Sequence, residues 1–142
     1  MLLQTMAMEN SIFVWCRDHR VHHKHSETDA DPHNAKRGFF FAHMGWLMCS
    51  KHPAVIEKGR TIDLSDLKED PVVRFQYRYF FPLALVFGWV LPSVVPVWGW
   101  GESFWNSLMI CGFFRYVYIL HGLVWFDDGL KPHSLPFPAP GW

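Results

Sequence analysis

Between Arg78 and Asp127 the chain carries only two charged residues, Glu102 and Arg115. Tyr79 to Gly101 is 23 residues without a charge, and Ser103 to Phe126 is 24 residues with only Arg115. A bilayer core about 30 Å thick takes roughly 20 residues of helix. Both runs are long enough, and the short connection between them predicts a helical hairpin. A buried hairpin in a soluble protein is the weaker reading, because long soluble helices keep charge on one face. Pro92 and Pro96 predict a kink or an end in the first run. Trp98, Trp100 and Trp105 gather at the connection, as aromatic side chains do at a membrane–water boundary. Arg74 and Arg78 precede the first run and the connection has no Lys or Arg, so the positive-inside rule predicts that residues 1–78 are cytosolic. Arg115 is costly within a span unless paired, and a structural contact is the preferred reading of it.

Charge is distributed unevenly. Residues 17–78 hold 11 of the 13 Lys and Arg and 9 of the 13 Asp and Glu, while the net charge is zero. No bulk electrostatic attraction to nucleic acid is expected. The three cysteines, Cys16, Cys49 and Cys111, form no CxxC pair and predict no disulfide framework. The first ten residues lack the basic and apolar regions of a signal peptide. Residues 2–25 read as one helix. Ser26 to Asn34 reads as an acidic turn, and residues 36–49 as an apolar stretch too short to span, interfacial or buried. L-S-D-L-K reads as a short helix with Ser65 as its N-cap.

The expected helix ends in D-H-R-V-H-H-K. His19, His22 and His23 stand at i, i+3 and i+4, so one helical face carries all three imidazoles. Such a face can supply nitrogen ligands to iron, zinc or copper. It can also be a solvated basic surface. The HExxH glutamate and the spaced cysteines of common zinc sites are missing from the cluster. His25, His33, His43 and His52 read as surface or helix-end residues, with His33 a candidate supporting group behind a ligand.

The run D-H-R-V-H-H-K-H-S-E-T-D-A-D-P-H-N-A-K-R-G-F-F-F-A-H-M-G-W-L resembles the second histidine box of the membrane acyl-CoA delta-9 desaturases, the stearoyl-CoA desaturase type, in an insect-like version. The resemblance continues through K-H-P-A-V-I-E-K-G and D-L-S-D-L to F-R-Y-V-Y-I-L-H-G, covering residues 3 to about 122. It implies an all-α integral membrane protein of the endoplasmic reticulum. It implies a di-iron centre to which His19, His22 and His23 contribute. It implies a saturated fatty acyl-CoA substrate (stearoyl or palmitoyl), electrons from cytochrome b5, contact with membrane lipid, and insertion of a cis double bond with oxygen. Asn10, Arg17, Asp18 and Lys51 fall where the family contacts the CoA portion, and Arg and Lys suit phosphates. Ser50 stands where the family has arginine.

The expected organisation is a cytosolic region over 1–78, two membrane helices over 79–126 and a divergent, disordered tail over 127–142, where four prolines fall within nine residues. The family's first box, HxxxxH, and its final HxxHH are expected outside this sequence. His121 and His133 match no family ligand. Three histidines are too few for two irons, so the expectation is a fragment of a four-span desaturase, inactive alone. Two other classes stay open: a membrane di-iron hydroxylase or sterol oxidase, and a non-catalytic acyl-CoA-binding membrane fragment.

Overall fold

A computed structural model describes residues 1–129. Among the described residues every regular element is helical, in keeping with the all-α expectation. The order is α1 (Leu2–Ala7), α2 (Ile12–His25), a 3₁₀ turn (Ala35–Arg37), α3 (residues 39–48), α4 (Pro53–Arg60), α5 (Ser65–Glu69), α6 (Pro71–Arg78), α7 (Phe80–Trp100) and α8 (residues 104–129). The expected tail from residue 130 lies outside the described residues.

The single helix expected over residues 2–25 is two helices. Met8 and Asn10 adopt left-handed backbone, at φ 62° and 81°. The Ser11 hydroxyl then accepts the Val14 N–H at 3.3 Å and starts α2 afresh. Asn and Ser favour such local bonds over continuation of a helix. Ser65 is likewise not an N-cap: it lies inside α5, and the Asp63 carboxylate accepts its N–H at 3.0 Å.

Two polar links tie the N-terminal helices to α5 and α6. Arg20 of α2 forks onto Asp66 at 2.9 and 2.6 Å and also donates to the Asp63 carbonyl at 2.8 Å. The Arg20 guanidinium holds the Asp66 carboxyl down from 3.8 to about 2. A lowered folded-state value means that the link contributes above about pH 4 and is lost as pH falls through about 2. Hydrogen exchange in α5, corrected for its intrinsic rate, should therefore quicken between these values, modestly because the pair is exposed. Arg20→Ala should abolish the rise. The second link is Gln76 of α6, fully buried beneath the junction of α1 and α2.

One helix among the described residues, Phe80–Trp100, is long and apolar enough to cross a membrane, and 22% of its most apolar window is buried. A core helix would be mostly buried. The two-helix hairpin expected over 79–126 thus has one clear candidate span. The second helix, α8, packs back along α7 after the turn at Gly101, whose left-handed φ of 72° ends the first. Pro92 and Pro96 do not end α7. A π-helical turn over Leu85–Val90 precedes Pro92, and the helix runs on through Pro96. His43 is not a surface residue: it is half-buried in α3, and its Nε2 lies 3.0 Å from Nδ1 of His121 in α8.

Candidate functional site

Of the three histidines that the spacing places on one face of α2, the structure brings two into register. His19 and His23 are one turn apart, with Nε2 atoms 2.9 Å from each other. Two ligands at right angles on one ion, each about 2.1 Å from it, stand roughly 3 Å apart, so this pair is already at chelating separation. Trp15 stacks on His19 at 4.4 Å between ring centres. The His22 ring lies 6.3 Å from that of His19 and 5.6 Å from that of His23. Among the described residues no three His, Cys, Asp or Glu side chains already converge as a closed metal set. The donors share a face, two of them in register, with His22 turned partly away.

What turns His22 is Asp31. The His22 Nδ1 is 2.6 Å from Asp31 Oδ1, and His22 is only 5% exposed. The same carboxylate accepts the backbone N–H of Glu27 at 2.8 Å and of His33 at 2.9 Å. Burial pushes the Asp31 carboxyl up, but the His22 bond and the two backbone N–H groups outweigh it and hold it below its ordinary value. An ionised Asp31 accepts a hydrogen bond from the Nδ1–H of His22, which leaves the lone pair on Nε2. His33 contributes differently: its ring packs 5.5 Å from that of His22 and 4.1 Å from that of Trp46. Sequence reasoning placed the supporting role on His33 and missed Asp31. The available signal was an acid followed by Pro-His, nine residues after a candidate ligand.

Arg17, Asp18 and Lys51 come together beside this face. Asp18 Oδ1 accepts from Arg17 Nε at 2.9 Å, and Oδ2 accepts from Lys51 Nζ at 2.5 Å. One carboxylate therefore holds two cations side by side. A cleft of about 120 Å³ runs from Lys51 to Asp31 and is also lined by Arg37, Trp46, Ser50 and His52. Arg37 was not singled out in the sequence, and His52 was read there only as a surface or helix-end residue. Asn10 stands apart, exposed at the left-handed junction about 10 Å back along α2 from Arg17. The set as a whole offers nitrogen ligands on one side and an anion-binding pair on the other.

Residues 1–132 match the family model described as fatty acid desaturase, past the His121-Gly122 point where the resemblance to delta-9 enzymes was expected to stop. The chain is 57% identical over 120 residues to an acyl-CoA desaturase of Ovis aries and 53% identical over 120 residues to a stearoyl-CoA desaturase of Homo sapiens, in each case over 84% of this chain and 33% of the relative. It is 54% identical over 140 residues to an acyl-CoA Delta12-desaturase of Acheta domesticus, over 94% of this chain and 39% of the relative. The chain thus spans about a third of the length of the curated relatives it matches.

Proposed function

The chain belongs to the fatty acid desaturase family, and from that premise we propose that it is the part of a delta-9 acyl-CoA desaturase that carries one histidine box and the adjoining CoA site. The observation that carries the reading is that α2 bears the His19–His22–His23 face together with Arg17 and Asp18, and that Lys51, from the connection between α3 and α4, joins Asp18 beside that face. The names of the mammalian relatives support a saturated fatty acyl-CoA as substrate.

In this reading α7 and α8 form a two-span hairpin in the endoplasmic reticulum membrane, with lipid against their exposed apolar faces and residues 1–78 on the cytosolic side. His19, His22 and His23 hold iron, and cytochrome b5 delivers the electrons. The iron supplies the oxygen chemistry that breaks unactivated C–H bonds. The protein's own residues do the rest. Asp31 accepts the hydrogen bond from the Nδ1–H of His22, so that Nε2 is the nitrogen that would ligate iron. Trp15 stacks on His19 and limits its rotation. Asp18 holds Arg17 and Lys51 side by side where CoA phosphates can reach both cations, which fixes where the thioester end of the acyl chain enters.

A full-length stearoyl-CoA desaturase whose own segment is exchanged for residues 3–122 of this chain tests the reading. With cytochrome b5 and stearoyl-CoA in microsomes it should form the cis-9 product. A 12-unsaturated product would move the double bond, a hydroxylated acyl chain would favour the hydroxylase reading, and an inactive exchange would refute the proposal. The chain alone should bind stearoyl-CoA without turnover. Lys51→Ala should weaken that binding roughly tenfold and reduce its salt dependence. Asp18→Asn should also weaken it, since both cations lose their anchor; tighter binding would show that Asp18 merely competes with phosphate.

A further inference from the structure

Gln76 is 0% exposed, and both ends of its amide are in use. Its Oε1 accepts the backbone N–H of Ile12, the first residue of α2, at 3.0 Å. Its Nε2 donates to Gln4 Oε1 at 3.0 Å and to Thr5 Oγ1 at 3.1 Å. Gln4 in turn donates from Nε2 to the Asn10 carbonyl at 2.6 Å. The direct partners lie on α1 and at the start of α2, 64 to 72 residues from Gln76 in sequence.

The order of donors along this chain is forced. Asn10 offers a carbonyl, so Gln4 must turn its NH₂ toward it. The Gln4 oxygen then faces Gln76, which must present an NH₂ of its own. Ile12 presents an N–H, so the other end of Gln76 must be an oxygen. Only an amide meets both demands at position 76. A carboxylate keeps the Ile12 bond but sets oxygen against oxygen at Gln4. The junction itself needs such support, because Met8 and Asn10 are non-glycine residues in left-handed backbone.

We propose that Gln76 is a positioning residue for acyl-CoA binding: it fixes the Asn10 junction through Gln4 and so presents the Asn10 side chain to the substrate. The inference rests on the assignment of Asn10 to the CoA site. It adds a relay that begins in the helix leading into the first apolar run, so the entry to α7 and the substrate surface are held in one register.

The test uses the full chain in lipid nanodiscs with stearoyl-CoA as the probe. Gln76→Glu, Gln4→Met and Asn10→Ala are made singly and in pairs. Gln4→Met is the informative variant, since Gln4 is half-exposed and its loss leaves the core untouched. Gln4→Met and Gln76→Glu should each raise the dissociation constant roughly fivefold, the worth of one lost hydrogen bond. Combined with each other or with Asn10→Ala they should add nothing, because all three act on one contact. Hydrogen exchange at residues 8–12 should quicken in Gln76→Glu while the melting temperature of Gln4→Met stays at the wild-type value. Additive losses, or wild-type binding by Gln4→Met beside a weakened Asn10→Ala, would overturn the relay and leave the Asn10 assignment standing. Wild-type binding by Asn10→Ala would overturn the assignment and the proposal with it, and faster exchange in Gln76→Glu would then show a purely structural clamp.

Discussion

Arg115→Leu is expected to loosen α1 from the apolar hairpin and to cost about 3 kcal/mol of stability, the scale of lost hydrogen bonds to a charged group plus carbonyls left unpaired. Arg115 sits half-buried in α8 and donates to three carbonyls. Its Nε reaches Cys111 of its own helix at 2.7 Å, one Nη reaches Met6 at the end of α1 at 2.9 Å, and the other reaches Gly88 in α7. The Gly88 carbonyl is the one that Pro92, four residues on and lacking an N–H, leaves without its helical partner. The Met6 carbonyl belongs to the last turn of α1, where helical partners run out. Arg115 therefore gathers polar groups that chain geometry has orphaned, and this is what makes a guanidinium tolerable in so apolar a place. Gly88 allows the approach, since a Cβ there would stand 2.5 Å from the sulfur of Met8. Thermal unfolding in detergent should show the loss, together with faster proteolysis within α1. Arg115→Lys should recover only part of it, because one ammonium cannot fork to carbonyls on three segments. A leucine variant that melts with the wild type would refute this account of the residue.

The same residue shows how far the sequence could be read. An isolated charge in a long apolar run announces that a partner exists, and the structural reading of Arg115 came from cost alone. Which atoms serve as partners depends on a π-helical turn and on α1 folding back against α7, and neither has a local signature. The histidine face was legible because the spacing of 19, 22 and 23 already determines a shared side once the segment is helical. The break at Met8 to Ser11 was overlooked for a physical reason. The apolar mass of Ile12, Phe13 and Trp15 and the histidines at the end suggest one helix, and the Asn-Ser pair that ends one helix and caps the next carries its message in backbone bonds rather than in hydropathy. The first candidate span was located to within a residue at each end, since freedom from charge marks it directly. His43 and His121, 78 residues apart, could be joined only by the packing of α3 on α8.

His22→Ala should remove most of the iron that the protein takes up, while Asp31→Asn should lower its iron affinity by about 10- to 100-fold, the usual range for a lost partner behind a histidine ligand. His19 and His23 stand at chelating separation, and in the proposed reading the third nitrogen is that of His22, which is buried and has its Nδ1 engaged by Asp31. Removing the ring removes the ligand. Asparagine keeps the volume and can still accept one hydrogen bond, but it no longer carries the charge that the His22 bond and the Glu27 and His33 N–H groups stabilise. The His22 ring then loses its fixed tautomer, and Nε2 carries the proton for part of the time. Iron per chain after anaerobic loading with Fe²⁺, measured by plasma mass spectrometry across a chelator series, separates the two effects. His22→Ala should stay low at every chelator concentration, whereas Asp31→Asn should lose iron only as chelator rises. His33→Ala serves as the control, because its ring packs against that of His22 without holding the Nδ1 proton, and it should fall well short of the Asp31 change. Equal iron in all three variants would mean that this helical face does not hold the metal.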